Sequence, residues 1–219
     1  IIAGAGANST SEAVCLAKDM EDAGVDGLLI VTPYYNKCTD SGLIAHYETI
    51  ADKVSIPIIM YSVASRTGVN ISPRIVKILS DHPNITGIKE ASGNISQICE
   101  IAACVSDTFS LYSGNDDQTV PVLSLGGLGC ISTVSNIIPA RFSAMIHQYL
   151  NGQCKAAGKE QVALKPLIDA IFMEVNPVPV KAALSMMGMC SAEYRLPMCP
   201  PTNKTQYLLY DTLKEFGLV

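Results

Sequence analysis

Six short apolar runs alternate with six amphipathic stretches through residues 1–151, and that alternation restricts the fold more than any other feature. The runs occupy residues 1–6, 27–32, 57–63, 85–90, 109–113 and 129–134. Most are built from Ile, Val, Leu or Tyr and stop at Gly, Ser, Thr, Asn or Pro, as strands buried on both faces do. Between them, residues 9–24, 40–53, 73–80, 94–105, 116–125 and 139–151 carry helical patterns. Ser9 or Thr10 opens the first of these and Gly24 closes it. Ser72 caps the third, with Pro73 at its first helical position. Strand and helix repeated in this way predict a parallel sheet covered by helices. Two closures are compatible with the pattern, an open doubly wound sheet or an eightfold barrel.

From residue 153 the strand pattern stops. Residues 153–174, 177–187 and 203–216 read as three helices, separated by the proline-rich turns Asn176-Pro177-Val178-Pro179 and Leu196-Pro197 to Pro200-Pro201. The expected division is therefore an α/β part over residues 1–152 and a C-terminal helical module over 153–219.

With 48% hydrophobic and only 16% charged residues, 219 residues can bury a substantial core, which excludes a disordered chain. The net charge of −5 comes without a basic stripe, so nucleic acid is not an expected partner. No apolar run is long enough to span a bilayer, so neither is a membrane. Eight cysteines form no C-x-x-C pair, and His46, His82 and His147 lie far apart, which argues against a zinc site. Free thiols and the lack of a signal-peptide pattern place the expected location in the cytoplasm. The chain opens on Ile1, and residues 1–6 read as the middle of a fold, as in a fragment or a processed chain.

Two glycine-rich pieces invite a phosphate-binding interpretation. Gly4-Ala5-Gly6 lacks the third glycine of a dinucleotide fingerprint, and no acidic residue ends the next strand, so a tight strand-to-helix turn suffices. Gly126-Gly127-Leu128-Gly129 reads as a helix-to-strand connection.

Lys89 is the chief candidate for chemistry. It stands in the apolar run Ile85-Thr86-Gly87-Ile88-Lys89-Glu90, where Ile85, Gly87 and Lys89 are expected to share one face. Burial disfavours the ammonium, and a neutral amine can attack a carbonyl carbon to form a Schiff base. A strand lysine can also be an exposed end or half of an ion pair, although Glu90 next door points to the other face. Tyr61 ends the preceding strand, at the edge where parallel α/β folds carry their sites, and a phenol there can relay protons. A core tyrosine bonded to backbone is the plainer alternative. Tyr34 and Tyr35 also follow a strand end. Arg66, in the loop after Tyr61, suits carboxylate recognition or a surface ion pair.

The pieces IIAGAGANST, VTPYYN, MYSVASRTG, GIKEASGN, LYSGND, GGLGCIS and NPVPVK occur in order from Ile1 to Lys181. Together they resemble the pyruvate-dependent Schiff-base aldolases of the dihydrodipicolinate synthase and N-acetylneuraminate lyase superfamily. The resemblance implies a (β/α)8 TIM barrel, here lacking its first two β/α units, followed by the helical module. It implies that Lys89 binds pyruvate as a Schiff base, that Tyr61 relays protons, and that Tyr35 is lent across a tight dimer interface to the neighbouring relay. Arg66 would receive the carboxylate of the aldehyde substrate, and Gly114 and Ile131 would line the pyruvate pocket. Asn8, Glu12 and Tyr34 match positions that bind feedback lysine in some members. The implied reaction condenses pyruvate with L-aspartate-4-semialdehyde to 4-hydroxy-tetrahydrodipicolinate, on the diaminopimelate route to lysine. No metal or organic cofactor is implied beyond the covalent imine on Lys89, and the implied assembly is a homotetramer, a dimer of dimers. Ser65-Arg66-Thr67-Gly68 favours this branch over sialic-acid or 2-keto-3-deoxy sugar acid aldolases.

Two departures bear on activity. Ser62-Val63-Ala64 stands where the family usually has Asn-Val-Pro after the relay tyrosine. The absent units would carry the Gly-Thr-Thr-Gly turn that holds the pyruvate carboxylate. Six strands would leave open edges at residues 1–6 and 129–134. Feeble activity is expected of such a chain, or a non-catalytic role as a truncated homologue.

Overall fold

The computed structural model describes all 219 residues. Six strands, β1 (Ile2–Gly4), β2 (Gly27–Val31), β3 (Ile58–Ser62), β4 (Ile85–Glu90), β5 (Ser110–Ser113) and β6 (Gly129–Cys130), form one parallel sheet in sequence order. The connecting helices are α1 (Thr10–Asp22), α2 (Asp40–Ala51), α3 (Ala64–Thr67), α4 (Pro73–Leu79), α5 (Ile95–Ala102) and α6 (Thr119–Ser124). Four more follow: α7 (Pro139–Leu150), α8 (Cys154–Ile171), α9 (Val178–Met186) and α10 (Asn203–Glu215). All six expected strands are present. None of the ten helices is long and apolar enough to cross a membrane.

Local chemistry accounts for several boundaries. The Ser72 hydroxyl accepts from the Ile75 amide and Pro73 begins α4, while the Asn94 side chain accepts from the amides of Ser96 and Gln97 to open α5. Ser9 has the extended backbone of a cap, but its hydroxyl bonds to that of Ser11 rather than to an amide of α1. Gly87 has room for no side chain, since a Cβ there would lie 2.7 Å from the Ser110 carbonyl oxygen.

The core of the first compact unit, Ile1–Ile131, lies between the helices and one face of the sheet. Leu28, Ile30, Ile58, Met60, Ile85, Ile88 and Leu111 pack there with Leu43, Tyr47, Ile75, Leu79, Ile98 and Val122. Ile85 thus leaves the face that carries Lys89, contrary to the simple alternation expected for this run. The cause is a register shift: Ile58 pairs with Ile85, but Ile59 pairs with Gly87. Thr86 instead joins Ile59, Ser110 and Tyr112 in lining a hollow of about 350 Å³.

The second compact unit, Ser132–Val219, is helical. Helix α7 packs on α8, and α10 packs on α8 and α9. Arg141 pairs with Glu160 at 2.5 Å and lies over the Phe216 ring, and the Glu174 carboxylate accepts from the amide and hydroxyl of Thr202. By packing, the compact units meet after Ile131, since α7 packs on α8. Strand β6 also stops sooner than expected: residues 134–136 form a tight helical turn where a strand to Val134 is predicted.

Candidate active site

The registers of β3, β4 and β5 set Tyr61, Lys89 and Tyr112 side by side. Parallel neighbours in register share a face, so the three form one row across the sheet. The Lys89 ammonium nitrogen lies 4.0 Å from the centre of the Tyr61 ring. Both side chains are half-buried. Burial is the main cause that lowers the Lys89 pKa, and Arg66 acts in the same direction, against Asp116. Burial also raises the Tyr61 phenol, with Arg66 opposing. The lysine is driven toward the nucleophilic amine while the phenol keeps its proton.

Arg66 rides on α3, a single helical turn that the sequence pattern places only as a loop. It reaches both Lys89 and Tyr61 electrostatically. The turn stops at Gly68, whose φ of 75° is left-handed and suits glycine. The Thr32 hydroxyl, at the end of β2, bonds to the Thr67 hydroxyl at 2.8 Å, so α3 is anchored to the neighbouring strand.

Gly114 follows β5 and donates its amide to the Glu90 carbonyl at 2.7 Å. A Cβ at this position would stand 3.2 Å from Lys89 Cε and 2.6 Å from the Ala91 Cβ, so the absence of a side chain keeps space open at the lysine. Ile131, half-buried just after β6, donates its amide to the Ser113 carbonyl at 2.9 Å.

Asp116 and Cys130 were not singled out from sequence. Asp116 is buried in the turn after β5, and the Cys130 thiol lies 3.9 Å from its carboxylate. Burial and that carboxylate push the thiol up to about 12, so it remains protonated. The Asp116 carboxylate holds the Lys89 pKa up. The signal of both residues was positional, since Cys130 ends β6 and Asp116 lies in the turn that follows β5, at the edge that supplied Lys89 and Tyr61.

Other candidates stand apart from this row. Tyr35 is 87% exposed and has a φ of 72°, a left-handed conformation uncommon for a bulky residue. Tyr34 is 42% exposed, and Asn8 and Glu12 are exposed. Glu90 points away from Lys89, as expected, and accepts from the Ser92 amide. No group of three or more His, Cys, Asp and Glu side chains is arranged to hold a metal ion.

A half-buried lysine against a phenol, an arginine on the following turn and a glycine that clears the space form an arrangement suited to imine chemistry on a small carbonyl acid. Comparison with known proteins agrees. The chain is 52% identical over 218 residues to the 4-hydroxy-tetrahydrodipicolinate synthase of Caldicellulosiruptor saccharolyticus, covering all of this chain and 74% of that protein. A solved monomeric dihydrodipicolinate synthase variant superposes with a TM-score of 0.98 at 42% identity, over 100% of this chain and 74% of the other. The chloride-inhibited dihydrodipicolinate synthase of Acinetobacter baumannii, solved with pyruvate, gives 0.97 at 38% identity, over 100% and 75%. The sequence model of the Dihydrodipicolinate synthetase family matches residues 1–216, and by that match and these identities the chain belongs to this family.

Proposed function

We propose that Lys89 is the amine on which pyruvate is activated for condensation with L-aspartate-4-semialdehyde, the synthesis of 4-hydroxy-tetrahydrodipicolinate. Members of this family are pyruvate-dependent Schiff-base lyases that need no metal cofactor. The observation that carries the assignment is the half-buried amine 4.0 Å from the Tyr61 ring. The neutral amine adds to the keto carbon of pyruvate, and loss of water leaves an iminium. The iminium nitrogen accepts the electron pair when a methyl proton leaves, and the resulting enamine carbon attacks the aldehyde. The substrate's own amine then displaces Lys89 by transimination and closes the ring. Tyr61, protonated at neutral pH, relays protons during carbinolamine collapse and carbon–carbon bond formation. Arg66 receives the carboxylate of the aldehyde substrate through its planar fork. Gly114 and Ile131 line the pyruvate pocket.

The finer assignments belong to the same proposal. The six strands correspond to strands three to eight of an eight-stranded β/α barrel, the family's first two units having no counterpart among these residues. By connectivity α7 completes the last unit, so residues 1–152 are the barrel part and 153–219 the helical module. The exposed Tyr35 serves a neighbouring subunit's relay in a dimer of dimers. Asn8, Glu12 and Tyr34 contribute to a site for feedback lysine. The location is cytoplasmic.

Borohydride reduction of the protein with pyruvate tests the central assignment. Peptide mass mapping should find a stable adduct on Lys89 and none in the Lys89→Ala variant. An adduct on a different lysine would overturn it.

A further inference from the structure

Behind the row of Tyr61 and Lys89, on the opposite face of the sheet, the next residues of the two strands are also paired: Ser62 with Glu90. Glu90 is fully buried, and its Oε1 accepts from the Ser92 amide at 2.8 Å and from Gln97 Nε2 at 3.3 Å. The same Gln97 amide, on α5, closes a two-bond ring with Asn70. Gln97 donates to Asn70 Oδ1 at 3.1 Å and accepts from Asn70 Nδ2 at 2.8 Å. Asn70 lies just past Gly68, where α3 stops. Ser62 completes the connection, donating to Asn70 Oδ1 at 3.4 Å and accepting from the Ile71 amide at 3.2 Å.

We infer that Gln97 is a positioning residue: its side-chain amide ties the end of β4 to the segment that follows α3 and thereby sets where Arg66 stands relative to Lys89. The inference rests on the proposed roles of Lys89 and Arg66. Its consequences fall unequally on the two. Lys89 is laddered to β3 on one side and β5 on the other, so it stays in place without Gln97. Arg66 sits in a four-residue helix, whose closing bond runs from the Gly68 amide to the Ala64 carbonyl at 2.9 Å. Loss of the tether on its C-terminal side therefore loosens Arg66 first. Asn70 is exposed, so its freed amide can turn to water, and the buried Glu90 Oε1 keeps the Ser92 amide, so the fold is retained.

The test is Gln97→Ala, Asn70→Ala and the double variant in the 219-residue chain. In Gln97→Ala the KM for aspartate semialdehyde should rise about threefold to tenfold, the range for losing one or two modest hydrogen bonds. The KM for pyruvate and the yield of the borohydride adduct on Lys89 should not move. The double variant should match the single ones, because both remove the same tether. Hydrogen exchange supplies a readout independent of turnover, since the amides of residues 66–71 should exchange faster in Gln97→Ala while those of β4 do not. Unchanged exchange together with an unchanged semialdehyde KM would overturn the inference, as would equal effects on both substrates. Absence of the Lys89 adduct in the parent would instead remove the functional reading beneath it, while the exchange measurement still decides whether the tether exists.

Discussion

Burial shifts Lys89 and Tyr61 in opposite directions, and that difference suits the separate roles proposed for them. It favours the uncharged form of each, which is the deprotonated amine for lysine and the protonated phenol for tyrosine. Attack on pyruvate needs the free amine, so the rate of adduct formation should rise with pH and reach half its plateau below the ordinary lysine value of about 10.4. Arg66→Gln removes a cation that lowers the Lys89 pKa, so its midpoint should move up, whereas Asp116→Asn should move it down. Cyanoborohydride trapping of pyruvate across a pH series measures all three; a parent midpoint at the ordinary value would defeat the claim. Tyr61→Phe keeps the ring against the amine and removes only the hydroxyl. Turnover should fall by about 10² or more, the range for losing a general acid–base group, while the adduct on Lys89 still forms and the thermal midpoint changes little. A variant that turns over at the parental rate would leave the phenol without a role.

At the scale of elements, α1 and α2 contain a polar contact with a pH signature. His46, on α2, is 3% exposed, and its Nδ1 lies 2.9 Å from the Thr10 hydroxyl of α1 while its Nε2 has no partner. Burial lowers its pKa in the folded state. The unfolded chain therefore takes up a proton first, near the ordinary histidine value of about 6.5. Stability from this group is complete above that value and declines as pH falls toward the lower folded pKa. Urea midpoints at pH 8 and pH 5 should differ more for the parent than for His46→Gln; equal differences would show that the ring does not drive the change. The same scale explains what could be read from the chain. Strands β2 and β3 were legible because apolar side chains line both their faces, and β4 because Ile85 and Ile88 bury one of its faces. Helix α3 was not, because four residues carry no helical period and their turn depends on Thr67 reaching Thr32 on another strand. The slip between Ile58 and Ile59, which moved Ile85 to the other face, is a property of strand pairing and has no mark in either strand alone. Lys89 and Tyr61 could be found by their place at strand ends, whereas Asp116 and Cys130 become partners only once β5 and β6 lie together.

For the whole molecule the sheet's outer strands matter most. Strand order runs β1 to β6, so β1 pairs only with β2 and β6 only with β5. An edge strand offers unpaired amides and carbonyls to other chains, and natural edges are usually guarded by charge, proline or cover. Residues at β1 have little such guard: Ile1 is 85% exposed and Ile2 52%, although the N-terminal amine pairs with Asp26. Strand β6 is only two residues long, which makes it the poorer template. Association of the 219-residue chain should therefore begin at β1 and grow with concentration. Ile2→Lys places a charge on that edge without touching the Lys89 row, so light scattering should show less self-association while pyruvate trapping on Lys89 is unchanged. A parallel change at the other edge, Cys130→Lys, would be uninformative, because that thiol is packed near Asp116 and Lys89. If Ile2→Lys scatters as strongly as the parent at every concentration, the β1 edge is not the contact, and association has to be sought on other exposed apolar residues such as Val162 and Tyr207.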